Sequence, residues 1–379
     1  MRSPICDLLG IEFPLLAFSH CRDVVTEVSR AGGMGVFGAV SLPPDRLEEE
    51  LRWIDEHVGG KPYGVDLIVP NTIVGKGQAL STSDLLGLVP EEHKAYAADI
   101  LKRYDIASDD LDDVRRGHLN LGRNLQEAGA AASLAVAFRH PIKLIANALG
   151  VPPQIMLDMG KQHGVPIAAL VGTTQHAIRQ VQAGVDILVV SGGEAGGHCG
   201  DVSTLVLVPE VWEAIQPYRN APILAAGGIV TGRQMAACMA MGAAGAWTGS
   251  VWLTTNEAET NPVVKDKMIA ASSRDTVRSR ARTGKHSRQL RSPWTDAWES
   301  PGAPTPLPMP LQSFVSEPAL RKIDKLAEGG HRGAQELATY WVGQGVGLMN
   351  RRTSVRAVVQ EFKEDFLAAY ERLTTCLAE

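Results

Sequence analysis

Eight short apolar runs, separated by stretches of helical periodicity, constrain this chain more than any other feature. The runs are Phe13–Ala17, Met34–Ala39, Tyr63–Val69, Ile142–Ala146, Val165–Val171, Val185–Val190, Pro222–Ala226 and Gly245–Gly249. Between them lie helical stretches such as Arg22–Ala31, Pro44–His57, Pro153–His163, Thr174–Ala183, Pro209–Ile215 and Gly232–Met241. Val185-Asp-Ile-Leu-Val-Val190 and Pro222-Ile-Leu-Ala-Ala226 are almost continuously apolar. Strands covered on both faces, as parallel strands under helices are, read this way. Eight strands alternating with helices is the count of an α/β (β/α)8, or TIM, barrel. A doubly wound sheet uses the same alternation and is the competing arrangement.

Two segments exceed a minimal barrel. Residues 71 to about 138 separate the third and fourth strands and hold helical patterns at Pro90–Tyr104 and Leu111–Val136, with an acidic patch at Asp109–Asp113. One helix there is expected to be the barrel's own, and the remainder reads as a lid or added subdomain. The expected organisation is a barrel over 1–270, with this helical insertion, and a C-terminal helical extension over 271–379 packed on it. That extension carries a basic stretch (Arg278–Arg291), a proline-rich linker (Pro301–Pro310) and helical patterns near Glu317–Ala327, Gly333–Val342 and Ser354–Leu373. The net charge of −5 offers no general attraction to nucleic acid or an anionic membrane. No run of 18 apolar residues and no N-terminal signal pattern is present. The five cysteines (Cys6, Cys21, Cys199, Cys238, Cys376) are scattered without metal spacing. The expectation is a cytoplasmic protein with free thiols, no metal, and no membrane or nucleic-acid partner; a homodimer is left open.

The chemistry concentrates after the last three strands. Ser191-Gly-Gly-Glu-Ala-Gly-Gly-His-Cys-Gly200 follows the sixth strand directly. Glycines let backbone approach a ligand closely and leave amides free to donate. His198 would then project from the face of a barrel where catalytic residues collect. The bland alternative is a flexible loop with an incidental histidine. The seventh strand ends in Ala226-Gly-Gly-Ile229 with a helix starting near Thr231, and the eighth ends in Thr248-Gly-Ser250. Gly227 and Gly249 are 22 residues apart. Loops after these strands commonly bind phosphate, through backbone N–H groups and a helix N-terminus. No GxGxxG fingerprint or Walker loop follows a strand, so FMN is favoured over NAD or a nucleoside triphosphate. His20, just past the first strand, is either an active-face residue or an exposed loop histidine. Cys199 is next to His198, and sequence alone shows nothing that would activate its thiol.

On these motifs the chain resembles the nitronate monooxygenase family, once called 2-nitropropane dioxygenases, which shares its fold with FMN-dependent enoyl-ACP reductases. Gly193-Glu-Ala-Gly-Gly-His198 resembles the family's hallmark loop, and Ala226-Gly-Gly-Ile229 and Gly249-Ser250 resemble its FMN phosphate loops. Thr283-Gly284, Arg288–Arg291 and Gly343-Gln-Gly345 resemble its C-terminal elements. The resemblance implies that His198 is catalytic. It implies that FMN is bound by Ala17, Phe18, Ser19, Asp66, Asn147, Gly172, Ser191, Gly193, Gly196, Gly227, Gly228, Thr248, Gly249 and Ser250. It also implies a small-molecule substrate and O2 as partners, with a nitronate-like carbanion oxidised to a carbonyl compound and nitrite. The alternatives are an NAD(P)H-dependent enoyl-thioester reductase and a non-catalytic flavin-binding barrel. Departures occur at Ala17-Phe-Ser-His20, where the family usually has Ala-Pro-Met. At the end of the third strand Asp66 stands where the family usually has Asn, and Ser191 stands where Gln is frequent. A carboxylate at Asp66, an acceptor only, would pair with a flavin N–H, accept from ribityl hydroxyls, or lie near a cation.

Overall fold

In the computed structural model, which describes residues 1, 3–69, 82–111 and 127–376, eight strands close into a parallel barrel. They are β1 (Leu15–Ser19), β2 (Met34–Gly38), β3 (Tyr63–Leu67), β4 (Leu144–Asn147), β5 (Ile167–Val171), β6 (Ile187–Ser191), β8 (Ile223–Ala226) and β9 (Gly245–Thr248). Closure runs through β9 and β1, in register at Leu16↔Trp247. The remaining strands, β7 (Gly197–His198), β10 (Thr276–Ser279) and β11 (Ser287–Leu290), form a separate three-stranded sheet in the order β10-β11-β7.

Alternation along each strand produces two apolar layers. Leu16, Met34, Val36, Leu144, Ile187 and Leu224 fill the barrel interior. Their outward neighbours, such as Leu15, Val65 and Leu188, pack with helix residues such as Val24, Val25, Leu47 and Leu51. Each such side chain stabilises the fold by roughly 1.5–3 kcal/mol on burial. Small residues set the spacing where a helix lies close to a strand. A Cβ on Gly35 of β2 would overlap the backbone of Val25 in the helix Arg22–Arg30.

The insertion after β3 contributes the helices Thr82–Gly87, Glu91–Lys102 and Glu127–Ala137. The last packs on β3 and on the helix Pro44–His57, as the barrel's own helix does. Glu91–Lys102 packs instead on the C-terminal helix Leu311–Glu328. Most of the expected helix Leu111–Val136, and Asp112 and Asp113 of the acidic patch, lie outside the described residues; Asp110 is paired with Lys322.

Several boundaries differ from the sequence expectation. β1 runs past Ala17 to Ser19, so Phe18 and Ser19 belong to the strand and not to a loop beyond it. The helix expected to start at Pro209 starts at Thr204, with the proline inside it. Its first amide, that of Thr204, is satisfied by the distant Glu194 carboxylate at 2.9 Å, a cap the local pattern does not show. The C-terminal extension is not only helical. Its basic stretch folds as the β10–β11 hairpin, and the helix expected over Gly333–Val342 ends at Leu337, after which Trp341 bridges to Gln289. The proline-rich segment is tied down: the Thr305 carbonyl is 2.9 Å from His93 Nε2, and the Leu307 amide donates to Gln312 at 3.0 Å. The final helix, Val355–Thr375, packs on the barrel helix Gly232–Ala240. There the Arg233 side chain donates to Asp365 at 2.7 Å. Among the described residues no helix is long and apolar enough to cross a membrane.

The Gly35 contact generates a test. Gly35→Ala should destabilise the protein by about 1–3 kcal/mol, the usual range for overpacking, seen as a lowered denaturation midpoint. An unchanged midpoint would mean that the helix Arg22–Arg30 is free to move off the sheet.

Candidate active site

The carboxyl ends of the barrel strands, where catalytic groups collect in this fold, bring most of the expected site residues together. Residues paired in register point to one face, so Phe18, Asp66, Leu170, Ala226 and Trp247 all point inward near this end. Phe18 and Trp247 stack with ring centroids 6.3 Å apart. On the inward positions of the described barrel strands Asp66 is the one ionisable side chain. It is 1% exposed and its Oδ1 has no hydrogen-bond partner. Burial pushes its carboxyl well above the usual carboxylate range.

The glycine-rich loop after β6 is cross-linked on every side. The Gly192 amide donates to Ala226 (3.1 Å) and the Gly193 amide to Val202 (2.7 Å). The Arg288 guanidinium donates twice to the Gly193 carbonyl, at 2.8 and 3.0 Å. Glu194 accepts from the Thr204 amide, and Thr204 Oγ1 lies 3.0–3.2 Å from Glu194, Ala226 and Gly227 oxygens. The loop then enters β7, where His198 pairs in register with Ser287 of β11. The imidazole is solvent-exposed on one side, and its Nε2 shares a 2.8 Å hydrogen bond with Thr283 Oγ1. Surrounding protein, then the nearby Lys285 charge, hold its pKa below 6.5, so the ring is neutral at pH 7.

His20 resembles His198 in two respects: it is open to solvent, and surrounding protein lowers its pKa. Its Nδ1 lies 2.6 Å from the Gly38 carbonyl. A carbonyl only accepts, so Nδ1 carries the proton and Nε2 is left as an acceptor. The ring packs edge-on against Phe18, 5.1 Å between centroids.

Two adjacent strand ends expose backbone donors. After β8, Gly227 (φ 111°) and Gly228 (φ 66°) take left-handed conformations that a side chain would strain. Three residues on, the helix Gly232–Ala240 starts with a capping box between Thr231 and Gln234. After β9, a Cβ on Gly249 would meet nothing within 4 Å. The amides of Gly228, Ile229 and Gly249 donate to no acceptor among the described residues. Free amides beside a helix N-terminus suit an anion. The C-terminal segment closes on these loops: Ser250 Oγ accepts from the Gly343 amide (2.8 Å), and the Gln344 amide donates to Glu194 (2.9 Å). Gly343 and Gly345 leave no room for a Cβ against Glu194 and Gly228.

Not every expected residue reaches this site by its side chain. Asn147 pairs in register with Leu67, on the helix-facing side. Its amide is spent on Val69 (2.9 Å), Leu149 (3.0 Å) and Gly150 (3.3 Å). Thr248 likewise faces outward, donating to Leu16 and accepting from Trp252. Gly193 and Gly196 serve loop packing: a Cβ on Gly196 would collide with Gly343. Gly172 lies beside Ser191, with room above it. Burial raises the Cys199 thiol pKa, which disfavours the reactive thiolate. Thr204 carries no local sequence signal, because the oxygens its hydroxyl meets lie 10, 22 and 23 residues away in the chain. Ligand atoms of Cys21, Asp23 and Glu259 lie within 4.8 Å of one another, but the Cys21 thiol donates to the Glu257 carbonyl at 3.2 Å and burial raises its pKa.

Chemistry gathered at the carboxyl ends of a closed parallel barrel defines the class, a (β/α)8-barrel enzyme. The family model for nitronate monooxygenase matches residues 2–365. A candidate monooxygenase of Mycobacterium tuberculosis is 52% identical over 369 residues, covering 97% of each chain. A nitroalkane oxidase from Streptomyces ansochromogenes superposes with a TM-score of 0.78 at 24% identity, over 97% of this chain and 99% of that one. FabK from Thermotoga maritima superposes with a TM-score of 0.69 at 25% identity, over 99% of both chains. The chain belongs to the nitronate monooxygenase family, and it is a flavin-dependent oxidoreductase.

The Thr204 cross-link is open to test. Thr204→Val keeps the shape and removes the hydroxyl; the Ala226 carbonyl keeps the Gly192 amide, but the Gly227 carbonyl loses its partner, which should cost about 1–3 kcal/mol. Thr204→Ser should retain most of that stability. Equal denaturation midpoints for the two variants would show that the hydroxyl contributes nothing.

Proposed function

We propose that the protein binds FMN at the barrel mouth and oxidises a nitronate-like carbanionic small molecule with O2. The observation that carries this reading is the pairing of unsatisfied amides at Gly228, Ile229 and Gly249 with a neutral His198 on the neighbouring loop. The residues present fit the cofactor. The free amides suit one terminal phosphate, and the space over Gly249 and Gly172 is open to it. Phe18 and Trp247 offer apolar surface for a flat ring. Gly227, Gly228, Gly249 and the Ser250 backbone would hold the phosphate. Ala17, Phe18, Ser19, Asp66 and Ser191 would lie toward the ring and ribityl chain.

FMN held there would supply the electron acceptor that links the carbanion to O2, while the protein supplies position and electrostatics. Neutral His198 has one nitrogen held by Thr283. Its other nitrogen is available to orient an anionic substrate or, with a neutral nitroalkane, to take the α-proton. Arg288 is committed to the Gly193 carbonyl, so it holds the loop and not the substrate. The test is anaerobic mixing of FMN-loaded protein with an alkyl nitronate and, separately, with NAD(P)H. Bleaching by the nitronate alone supports this reading. Bleaching by NAD(P)H, with turnover of an enoyl thioester, establishes the reductase alternative that the likeness to FabK leaves in view. No bleaching by any donor establishes a flavin-binding barrel without catalysis.

The cradle itself is tested by Gly249→Ala. With φ at −130° and open space around the added methyl, stability should be unchanged while FMN affinity falls. Equal flavin affinity by fluorescence titration would place the phosphate elsewhere.

His198→Ala should leave FMN bound. It should slow flavin reduction by a neutral nitroalkane roughly 10²–10⁴-fold, the range for a lost general base. His198→Asn, which keeps a donor without the basic nitrogen, should restore the rate with a nitronate but not with the nitroalkane. Because the pKa of His198 is depressed, its neutral form persists at pH 7. The wild-type rate with nitroalkane should therefore fall only as pH drops through a midpoint below about 6.5. A rate that falls as pH rises through neutrality would contradict a neutral base.

A further inference from the structure

We propose that Asp66 is a neutral carboxylic acid that donates its proton in a hydrogen bond to the flavin mononucleotide at the barrel mouth. The inference rests on the FMN reading above. Asp66 closes the inward row of β3, one position before the strand ends at Leu67. Its register partners are Gly38 on β2 and Ala146 on β4. Neither flanking strand carries an ionisable residue. The helices packed on β3, Arg22–Arg30 and Glu127–Ala137, lie outside the barrel. The charges Arg22, Asp23, Glu27 and Arg30 are therefore across the strand from Asp66. The large inward side chains at this end of the barrel include Phe18, Leu170 and Trp247. Among the described residues the one titratable group nearby is His20, whose ring occupies the space a Gly38 side chain would take. His20 spends its Nδ1 proton on the Gly38 carbonyl, so it has no proton to offer Asp66.

A carboxylate at 1% exposure with an unpartnered oxygen and no cation facing it among the described residues would carry the full cost of desolvating a charge. Such a group keeps its proton, and burial alone is the cause of its raised pKa. A neutral acid has a different need: its O–H requires an acceptor. Asp66 makes no side-chain hydrogen bond to any described residue, the free Nε2 of His20 included, and the barrel below is filled by Val36, Leu144 and Leu224. Asp66 itself sits at the carboxyl end of β3, the end that forms the mouth. The flavin ring carries carbonyl oxygens and bare nitrogens, and the ribityl chain carries hydroxyls, so FMN offers the acceptor that the protein lacks.

The test uses full-length protein, with and without FMN. Infrared difference spectra of the wild type, with aspartate carboxyl carbons isotopically labelled, should show the carbonyl stretch of a protonated acid at neutral pH. The band should be lost in Asp66→Asn and should shift when FMN is added. In parallel, FMN affinity is followed against pH by fluorescence titration. A raised pKa means the acid is neutral below it and charged above it. Wild-type affinity, measured relative to Asp66→Asn, should hold at low pH. It should then fall by up to about tenfold for each pH unit above the pKa. Absence of the protonated band at neutral pH overturns the neutral acid, and needs no variant to be read. A band unmoved by FMN, with a wild-type to variant affinity ratio flat in pH, overturns the donation. If neither protein binds FMN at any pH, the cofactor reading fails and the donation fails with it, while the band still decides the protonation of Asp66.

Discussion

One hydroxyl ties the working face of this barrel together. Thr204 Oγ1 has a single proton and three oxygens within 3.0–3.2 Å: the Glu194 carboxylate and the carbonyls of Ala226 and Gly227. Those oxygens belong to the loop after β6 and to the end of β8. The glycines at 192 and 227 exist to let this happen, since a Cβ on either would collide with Thr204. Glu194 is thereby fixed as the cap of the helix Thr204–Ile215, and its carbonyl receives Gln344 from the C-terminal segment. The histidine loop, the exposed amides after β8 and the C-terminal segment are thus positioned by one junction.

The electrostatics of the mouth follow from backbone and burial more than from formal charge. His20 and His198 both have lowered pKa values, and Asp66 a raised one. Each shift has desolvation by surrounding protein as its first cause, and each favours the neutral form. The nearby arginines are engaged elsewhere. Arg288 donates to the Gly193 carbonyl, and Arg282 lies 3.8 Å over the Trp341 ring and pairs with Glu317 at 2.8 Å. Among the described residues, the anion-attracting elements that remain beside Lys285 are unsatisfied amides and a helix N-terminus, fixed dipoles that need no reorganisation when a ligand arrives. A cofactor with one phosphate and an otherwise neutral, flat body matches that distribution.

Much of this was legible in the sequence. Apolar runs with helical spacers gave the barrel because the covering of strands on both faces is a local signal. Glycines at strand ends marked the exposed backbone, since only a ligand or a close contact explains them in number. What stayed hidden depended on parity and on contacts distant in sequence. Placing the end of β1 at Ala17 instead of Ser19 left Phe18 in a loop, although it points inward onto Trp247. Asn147 and Thr248 look like site residues by position, but the two-residue alternation turns both side chains outward. The start of the helix at Thr204 depends on Glu194, and the β10–β11 hairpin depends on β7, a strand of two residues with no pattern of its own.

The central claim is that amides at the ends of β8 and β9 grip a phosphate while β3 and the histidine loop face the ring it carries. A crystal structure of the protein with FMN tests it most directly. The account predicts phosphate oxygens within hydrogen-bond distance of the Gly228 and Gly249 amides, with the isoalloxazine between Asp66 and His198. Phosphate bound away from both amides, or a ring that leaves His198 without access to it, would contradict the account.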